Sequence, residues 1–514
     1  MPSWLSDARF YEVYPQTFLD TDADGVGDLR GIIEKLDYVR ELGCNALWLN
    51  PCFVSPFLDA GYDVEDFCTV APRYGTNQDL KDLFDEAHAR GMHVLLDLVP
   101  GHTSVEHPWF KASCCAEPNE FWDRYIWTEH VFDIPDGMGC IRGMSERDGC
   151  CAVNFFSHQP ALNYGFENPD PEKPWQQPTD APGPQATVRA MIEVMRFWLG
   201  LGADGFRCDM ANSLVKNDPE YAGTMRVWRQ VRAFLDEEFP EAAIVSEWGE
   251  PDYSLPGGFH MDFLLQFGTS HYNDLVRCEA PYFSADPAGD ASRFVAAYRA
   301  YAEKTAGQGL MCLISGNHDC DRLSLRLDDR AERLCFAFQL TMPGAPFIYC
   351  GDEIGMRHIG GRPSKEGSYW RTGARTPMQW DSTPNCGFSA APPAALYLGV
   401  DPAEDRPTVA AQMADEGSLW HTVRALLELR AAHPALGNDA PVEFLADGAG
   451  HGVLAYVREA AGERVLVAIN PDEREQSFAS DLEPGEVLFS VGEGLAVQEG
   501  DIIVAPRTAV VCIL

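Results

Sequence analysis

Four short segments of this 514-residue chain set ionisable side chains directly after apolar runs. DLVPGH supplies Asp97 and His102, GFRCD supplies Arg207 and Asp209, VSEWGE supplies Glu247, and SGNHD supplies His318 and Asp319. Arg207 and Asp209 are two apart on an extended stretch, so their side chains share one face. An arginine beside a carboxyl favours its ionised form, which suits a nucleophile. Glu247 follows AAIV and precedes Trp248. An apolar setting raises a carboxyl pKa and suits a group that delivers a proton.

Such residues work together only if the fold brings the segment ends to one place. Apolar runs recur at 11–18, 45–50, 93–99, 203–209, 242–248, 260–267, 310–315 and 345–350. Between several of them lie amphipathic stretches with apolar residues three or four apart, such as 29–43, 77–91, 186–202 and 224–239. Strands alternating with such helices imply parallel pairing, and eight strands is the count of a closed α/β barrel. In a (β/α)8 TIM barrel, chemistry sits at the C-terminal strand ends, where all four segments fall. After the third strand the chain becomes rich in Pro, Gly, Asn, Asp and aromatics, too long a run for a plain loop. The reading is therefore a barrel over 1–103 and 171–437, an inserted domain over 104–170, and a C-terminal antiparallel β-sandwich domain over 438–514. The last part carries period-two runs such as GVLAYVRE and ERVLVAIN. A second excursion, 355–415, follows the eighth strand.

The net charge of -39 argues against nucleic acid or an anionic membrane as partner. No run of eighteen apolar residues appears, and the N-terminus does not read as a secretory signal. The 16 Cys are scattered and form no CxxC. Free thiols in a reducing cytoplasm are expected, with the Cys140 to Cys151 region as the place where a disulfide would form. Oligomeric state is not readable.

The four motifs, in this order and on this layout, resemble the α-amylase family of glycoside hydrolases. The likeness covers nearly the whole chain and includes QPALN at 159–163. It implies Asp209 as nucleophile, Glu247 as acid and base, and Asp319 as the carboxylate that grips hydroxyls of the reacting sugar. It implies further that Asp97 shapes the pocket, that His102 and His318 bind ring hydroxyls, that Arg207 positions Asp209 and Glu247, and that Tyr62 stacks under the ring. Two carboxyls about 5–5.5 Å apart would then act with retention through a covalent β-glycosyl-enzyme. The substrate implied is a small oligosaccharide or disaccharide, with no organic cofactor.

Two features point to a branch. In DTDADGVGDL, the carboxylates of Asp20, Asp22, Asp24 and Asp28 and the Val26 carbonyl offer oxygens around a glycine turn. Hard divalent cations take such donors. The stretch resembles the Ca2+ (or Mg2+) loop of the oligo-1,6-glucosidase and trehalose synthase branch. LDAGYD and GARTPMQWD resemble exo-acting α-glucosidases, in which the equivalents of Asp59 and Arg375 pair to close the pocket behind one glucose. Three departures stand beside this. Gly101 replaces an Asn that binds calcium in many α-amylases, Ala161 replaces the usual Asp of QPALN, and Met210 is neither the Val of α-1,6 nor the Thr of α-1,4 enzymes. An α-glucosidase is the leading expectation. The alternatives are a trehalose synthase or related glucosyltransferase on the same intermediate, an endo-amylase, and a binding-only relative.

Overall fold

The computed structural model describes residues 1–514 apart from Asp136 and Glu499. All eight expected strands form: β1 (Phe10–Val13), β2 (Ala46–Leu49), β3 (His93–Leu98), β4 (Gly205–Cys208), β5 (Ala243–Ser246), β6 (Met261–Leu264), β7 (Leu310–Leu313) and β8 (Phe347–Tyr349). Nearly every residue in them is buried, as parallel strands covered on both faces require. They pair in parallel in the order β7-β6-β5-β4-β3-β2-β1-β8, and a parallel bridge from Ile314 to Phe347 closes the ring.

The covering helices follow from local sequence. Asn77–Ala89 starts with a capping box, Thr76 with Asp79, and buries Leu80, Leu83, Phe84 and Ala87 on one stripe. Gly205, where β4 begins, has φ +144°, and a Cβ there would lie 1.8 Å from the Ala243 carbonyl oxygen. Only glycine lets β4 approach β5 this closely. That approach sets the register Arg207↔Val245 and Cys208↔Ser246, which carries Asp209 and Glu247 to adjacent strand ends.

Between β3 and the helix Pro182–Leu201 lie a short helix, Pro108–Ser113, and a hairpin pairing Cys140–Arg142 with Cys150–Ala152. A small core of Ile126, Ala152, Ala161 and Phe166 holds this region together. All 16 cysteines are free, so no disulfide forms between Cys140 and Cys151. The C-terminal part stacks a five-stranded antiparallel sheet against a three-stranded one. Alternate residues Ala455, Val457, Leu466 and Ala468 face the inter-sheet core, while Leu454, Tyr456, Val465 and Val467 face the barrel.

Two buried arginines staple that junction. Arg430 donates to the carbonyls of Leu340, Met342 and Gly344 at 2.6–2.8 Å and to Asn438 Oδ1. Arg458 donates to the carbonyls of Thr341, Gly437, Ala440 and Pro441. No helix of the described residues is long and apolar enough to cross a membrane.

Candidate active site

Arg207 is the hub of the strand ends. Its Nη1 donates to Asp97 Oδ1 at 2.9 Å and to Asp209 Oδ1 at 2.8 Å, and its Nη2 lies 2.8 Å from Glu247 Oε1. The sheet itself delivers these groups. Asp97 and Arg207 are register partners, the Asp209 amide donates to Leu98, and the Glu247 amide donates to Cys208. One planar guanidinium therefore holds the two expected catalytic carboxyls side by side. The Met210 amide donates to Glu247 Oε2 at 3.0 Å, from a left-handed backbone with φ +42°. Asp262 steadies the next turn by accepting from Ser246 Oγ at 2.6 Å and from the Gly249 amide at 3.3 Å.

One positive charge shared among three carboxyls leaves the cluster short of compensation. Burial pushes Glu247 up to about 8, with Asp209 and Asp319 adding to the rise against Arg207. Burial likewise lifts Asp209 to about 7 and Asp97 to about 6, again opposed by Arg207. Arg207 favours the ionised form of Asp209 as expected, but its charge is divided among three carboxyls and burial outweighs it.

Asp319 stands apart. Burial raises its pKa, but His318, Arg375 and Arg371 outweigh burial and hold it below the usual carboxylate range. Asp319 Oδ1 lies 2.6 Å from Arg371 Nη1 and 2.8 Å from Arg375 Nη2. Behind it, fully buried His318 lies 2.8 Å from Glu12 Oε1 through Nδ1 and 2.7 Å from the Tyr62 hydroxyl through Nε2. Tyr62 donates to Asp97 Oδ2 at 3.0 Å, and its ring stacks on His318. His102 Nε2 lies 3.0 Å from the Tyr62 carbonyl, and burial lowers its pKa to about 4.

These groups surround a cavity of about 580 Å³. Asp59, Tyr62, His102, Asp209, Glu247 and Asp319 lie on its wall. Asp97, Arg207, His318 and Arg375, also expected at the site, each bond to a residue on that wall: Asp97 and His318 to Tyr62, Arg207 to Asp209, and Arg375 to Asp319.

The expected Asp59–Arg375 pair does not form. Arg375 turns inward, donating to the His318 carbonyl at 2.7 Å and to Ser368 Oγ at 3.1 Å besides Asp319. Asp59 instead accepts from Gln159 Nε2 at 2.8 Å and lies 3.5 Å from Arg371 Nη2. Burial raises Asp59 to about 7, against Arg371. Arg371 and Gln159 were missed in the sequence. Gln159 sits in QPALN, and Arg371 lies four residues before Arg375, just ahead of GARTPMQWD. The aromatic rings of Phe155, Phe267 and Trp370 at the cavity wall, all exposed, were missed as well.

At Gly101 a Cβ would lie 2.7 Å from Asn154 Nδ2. Asn154 Oδ1 accepts from Lys216 Nζ at 2.8 Å, so a cation of the chain itself sits where the insert meets the barrel.

In the acidic turn, Asp20, Asp22 and Asp28 each offer an oxygen within 4.8 Å of the others. Asp24 and the Val26 carbonyl, also expected as donors, follow in the same turn. Asp24 Oδ1 is used by the Val26 amide, and Asp22 is raised by what burial it has and by Asp24 beside it. Asp20 accepts from the amides of Ala23 and Gly25, and Asp28 caps the helix Leu29–Glu34 through the Gly31 amide. Among the described residues no ion pair with Lys or Arg forms at these acids, and three carboxylate oxygens so close together suit a hard cation.

Comparison with known proteins agrees with the geometry. A model of the alpha amylase catalytic domain matches residues 12–439. Trehalose synthase/amylase TreS of Mycobacterium tuberculosis (strain ATCC 25618 / H37Rv) is 33% identical over 525 residues, covering 90% of this chain and 80% of its own. Oligo-1,6-glucosidase of Parageobacillus thermoglucosidasius is 30% identical over 565 residues, covering 95% and 94%. A variant of trehalulose synthase MutB in complex with the substrate sucrose superposes with a TM-score of 0.83 at 25% identity over 100% of both chains. That enzyme comes from Pseudomonas mesoacidophila MX-45. The eight-stranded barrel, the shared guanidinium between two strand-end carboxyls, and these matches lead to one conclusion: the chain belongs to the α-amylase family and is a glycoside hydrolase.

Proposed function

We propose that this enzyme is a retaining, exo-acting α-glucosidase on short α-glucosides. The observation that carries the reading is Arg207 bridging Asp209 and Glu247 opposite Asp319, in a cavity that Asp59 helps to wall. Glu247 gives its proton to the glycosidic oxygen while an Asp209 oxygen attacks the anomeric carbon, and the carbon–oxygen bond to the leaving sugar breaks. A β-glucosyl-enzyme results. Ionised Asp319 lies across from the pair and favours the cationic transition state. Glu247, now a carboxylate, takes a proton from water as the water oxygen attacks the same carbon, releasing α-glucose and Asp209. The product profile on maltose, isomaltose, trehalose and sucrose over time tests this. Steady release of α-glucose is expected, and rapid shortening of starch without glucose overturns the exo reading.

A trehalose synthase on the same intermediate is the second reading. The TreS relatives support it, as do the exposed aromatics at the mouth, which offer faces to a second sugar. It would return the glucosyl group to a sugar hydroxyl rather than to water. Trehalose from maltose without net glucose favours it.

We further propose a structural divalent cation, Ca2+ or Mg2+, held by Asp20, Asp22, Asp24, Asp28 and the Val26 carbonyl and taking no part in the chemistry, with the convergence of Asp20, Asp22 and Asp28 as its support. Calcium should raise the melting temperature of chelator-treated protein by several degrees, and an unchanged value argues for a metal-free turn. The unpaired cysteines support a reducing, cytoplasmic setting.

A further inference from the structure

The first strand puts an acid in the barrel core. Glu12 is fully buried, with Trp48 of β2 and Tyr349 of β8 as its register partners. Among the described residues it forms no ion pair with Lys or Arg, and His318 Nδ1 lies 2.8 Å from its Oε1. Glu12 Oε2 is buried and has no hydrogen-bond partner among the described residues. An ionised carboxyl left in that state is costly, and a carboxylic acid is not. Burial is the largest influence on both groups. It holds Glu12 well above its ordinary pKa and His318 well below, so each rests in its neutral form.

The direction of the hydrogen bonds follows from what each atom can give. The Tyr62 hydroxyl has one proton, and it donates that proton to Asp97 Oδ2 at 3.0 Å. His318 Nε2 lies 2.7 Å from the same hydroxyl oxygen and 3.3 Å from Asp319 Oδ2. Both oxygens are left to accept, so Nε2 carries the imidazole hydrogen. Nδ1 of the neutral ring is then bare. Asn50 Nδ2 approaches it at 3.0 Å, and Glu12 meets it at 2.8 Å as the donor that a carboxylic acid can be. One run of donors thus leads from Glu12 through His318 and Tyr62 to Asp97. The other tautomer would aim the Nε2 lone pair at the Asp319 carboxylate. It would also draw the Tyr62 proton to Nε2, leaving Asp97 Oδ2 with the Trp48 indole donor at 3.1 Å.

Resting on the mechanism proposed above, we infer that Glu12 is a positioning residue: as a carboxylic acid it donates to His318 Nδ1, fixes the Nε2–H tautomer, and so keeps Tyr62, Asp97 and Asp319 set for glycosyl transfer. Glu12 lies off the cavity wall and acts through His318.

The test follows consumption of maltose, which hydrolysis and glucosyl transfer share, in Glu12→Gln and Glu12→Met. The Gln amide can still donate to Nδ1, whereas Met fills the space and donates nothing. Glu12→Met should lose roughly 10- to 100-fold in kcat, the scale for removing a partner that orients a working histidine. Its KM should change less than about threefold, and Glu12→Gln should restore kcat to within about threefold of the wild type. Infrared difference spectra between wild type and Glu12→Gln at neutral pH should show the carbonyl stretch of a protonated carboxylic acid, a signature that a merely structural role does not require. Glu12→Met with unchanged kcat overturns the inference. So does a loss in Glu12→Gln equal to that in Glu12→Met, or a difference spectrum with a carboxylate band in place of the acid band. Should Glu12→Met fail to fold, the Gln variant and the infrared band decide. A wild-type enzyme that leaves maltose untouched sinks the α-glucosidase reading instead, and the infrared band then decides this inference by itself.

Discussion

Arg207 at the mouth of the barrel and the pair Arg430 and Arg458 at its junction with the β-domain are equally buried, yet they answer to opposite surroundings. Arg207 faces three carboxyls, and although burial alone would lower its pKa, those acids raise it well above the ordinary value. Arg430 and Arg458 face neutral carbonyls, and burial pulls them down to about 9 and about 10. At the mouth, acids outnumber the cation and hold protons they would otherwise release. At the junction, a single side chain satisfies several carbonyls that a buried loop would leave orphaned. The difference separates a region built to move protons from one built to stay still.

The comparison is most sharply exposed by removing its acids. Asp209→Ala should cut turnover by roughly 10⁴-fold or more, read as kcat on maltose. Its melting temperature should hold or rise, since a buried, under-compensated acid is gone. Unchanged activity would sink the mechanism. Arg207→Met should lower kcat by about 10²- to 10³-fold. Because Arg207 opposes the rise in both carboxyls, its loss should also move the pH optimum upward. Arg430→Leu or Arg458→Leu should do the reverse. Each should cost roughly 2–4 kcal/mol in denaturant unfolding by orphaning carbonyls, with kcat of the folded enzyme unchanged. A large fall in kcat there would erase the distinction between the two regions.

The pH response separates them more gently. With Asp209 needed ionised and Glu247 needed protonated, kcat/KM should be bell-shaped, falling below about 7 and above about 8. Stability carries the same signature. Both folded-state pKa values lie above the roughly 4 of an unfolded chain, so the native state keeps protons that the unfolded chain releases. Their contribution is therefore fully present below that unfolded value and is lost as pH rises through 7 to 8. Replacing both with Asn and Gln should flatten that decline in melting temperature, whereas Arg430→Leu should leave its slope alone.

The sequence carried the frame and the reacting groups because both depend on local pattern. Eight apolar runs became the eight strands, and Asp209, Glu247 and Asp319 stand at strand ends where alternation places them. What pattern could not carry was which of two neighbouring arginines reaches which acid. Arg371 and Arg375 differ by four residues, and their targets depend on the path of residues 366–371, which is set by Gly367 against Leu58 and by Glu366 against Arg73. Burial of Asp97 and His318 behind Tyr62 is likewise a matter of layers, invisible to spacing.

Met210 holds the acid Glu247 with its backbone amide and leaves its side chain on the cavity wall. The duty that every turnover requires is thus assigned to an atom common to all residues except proline. The side chain at 210 is free to drift under selection without loosening the proton donor. Substrate preference at this position is therefore an evolvable setting, and a saturation library at 210 should return many active enzymes that differ in the linkage they favour.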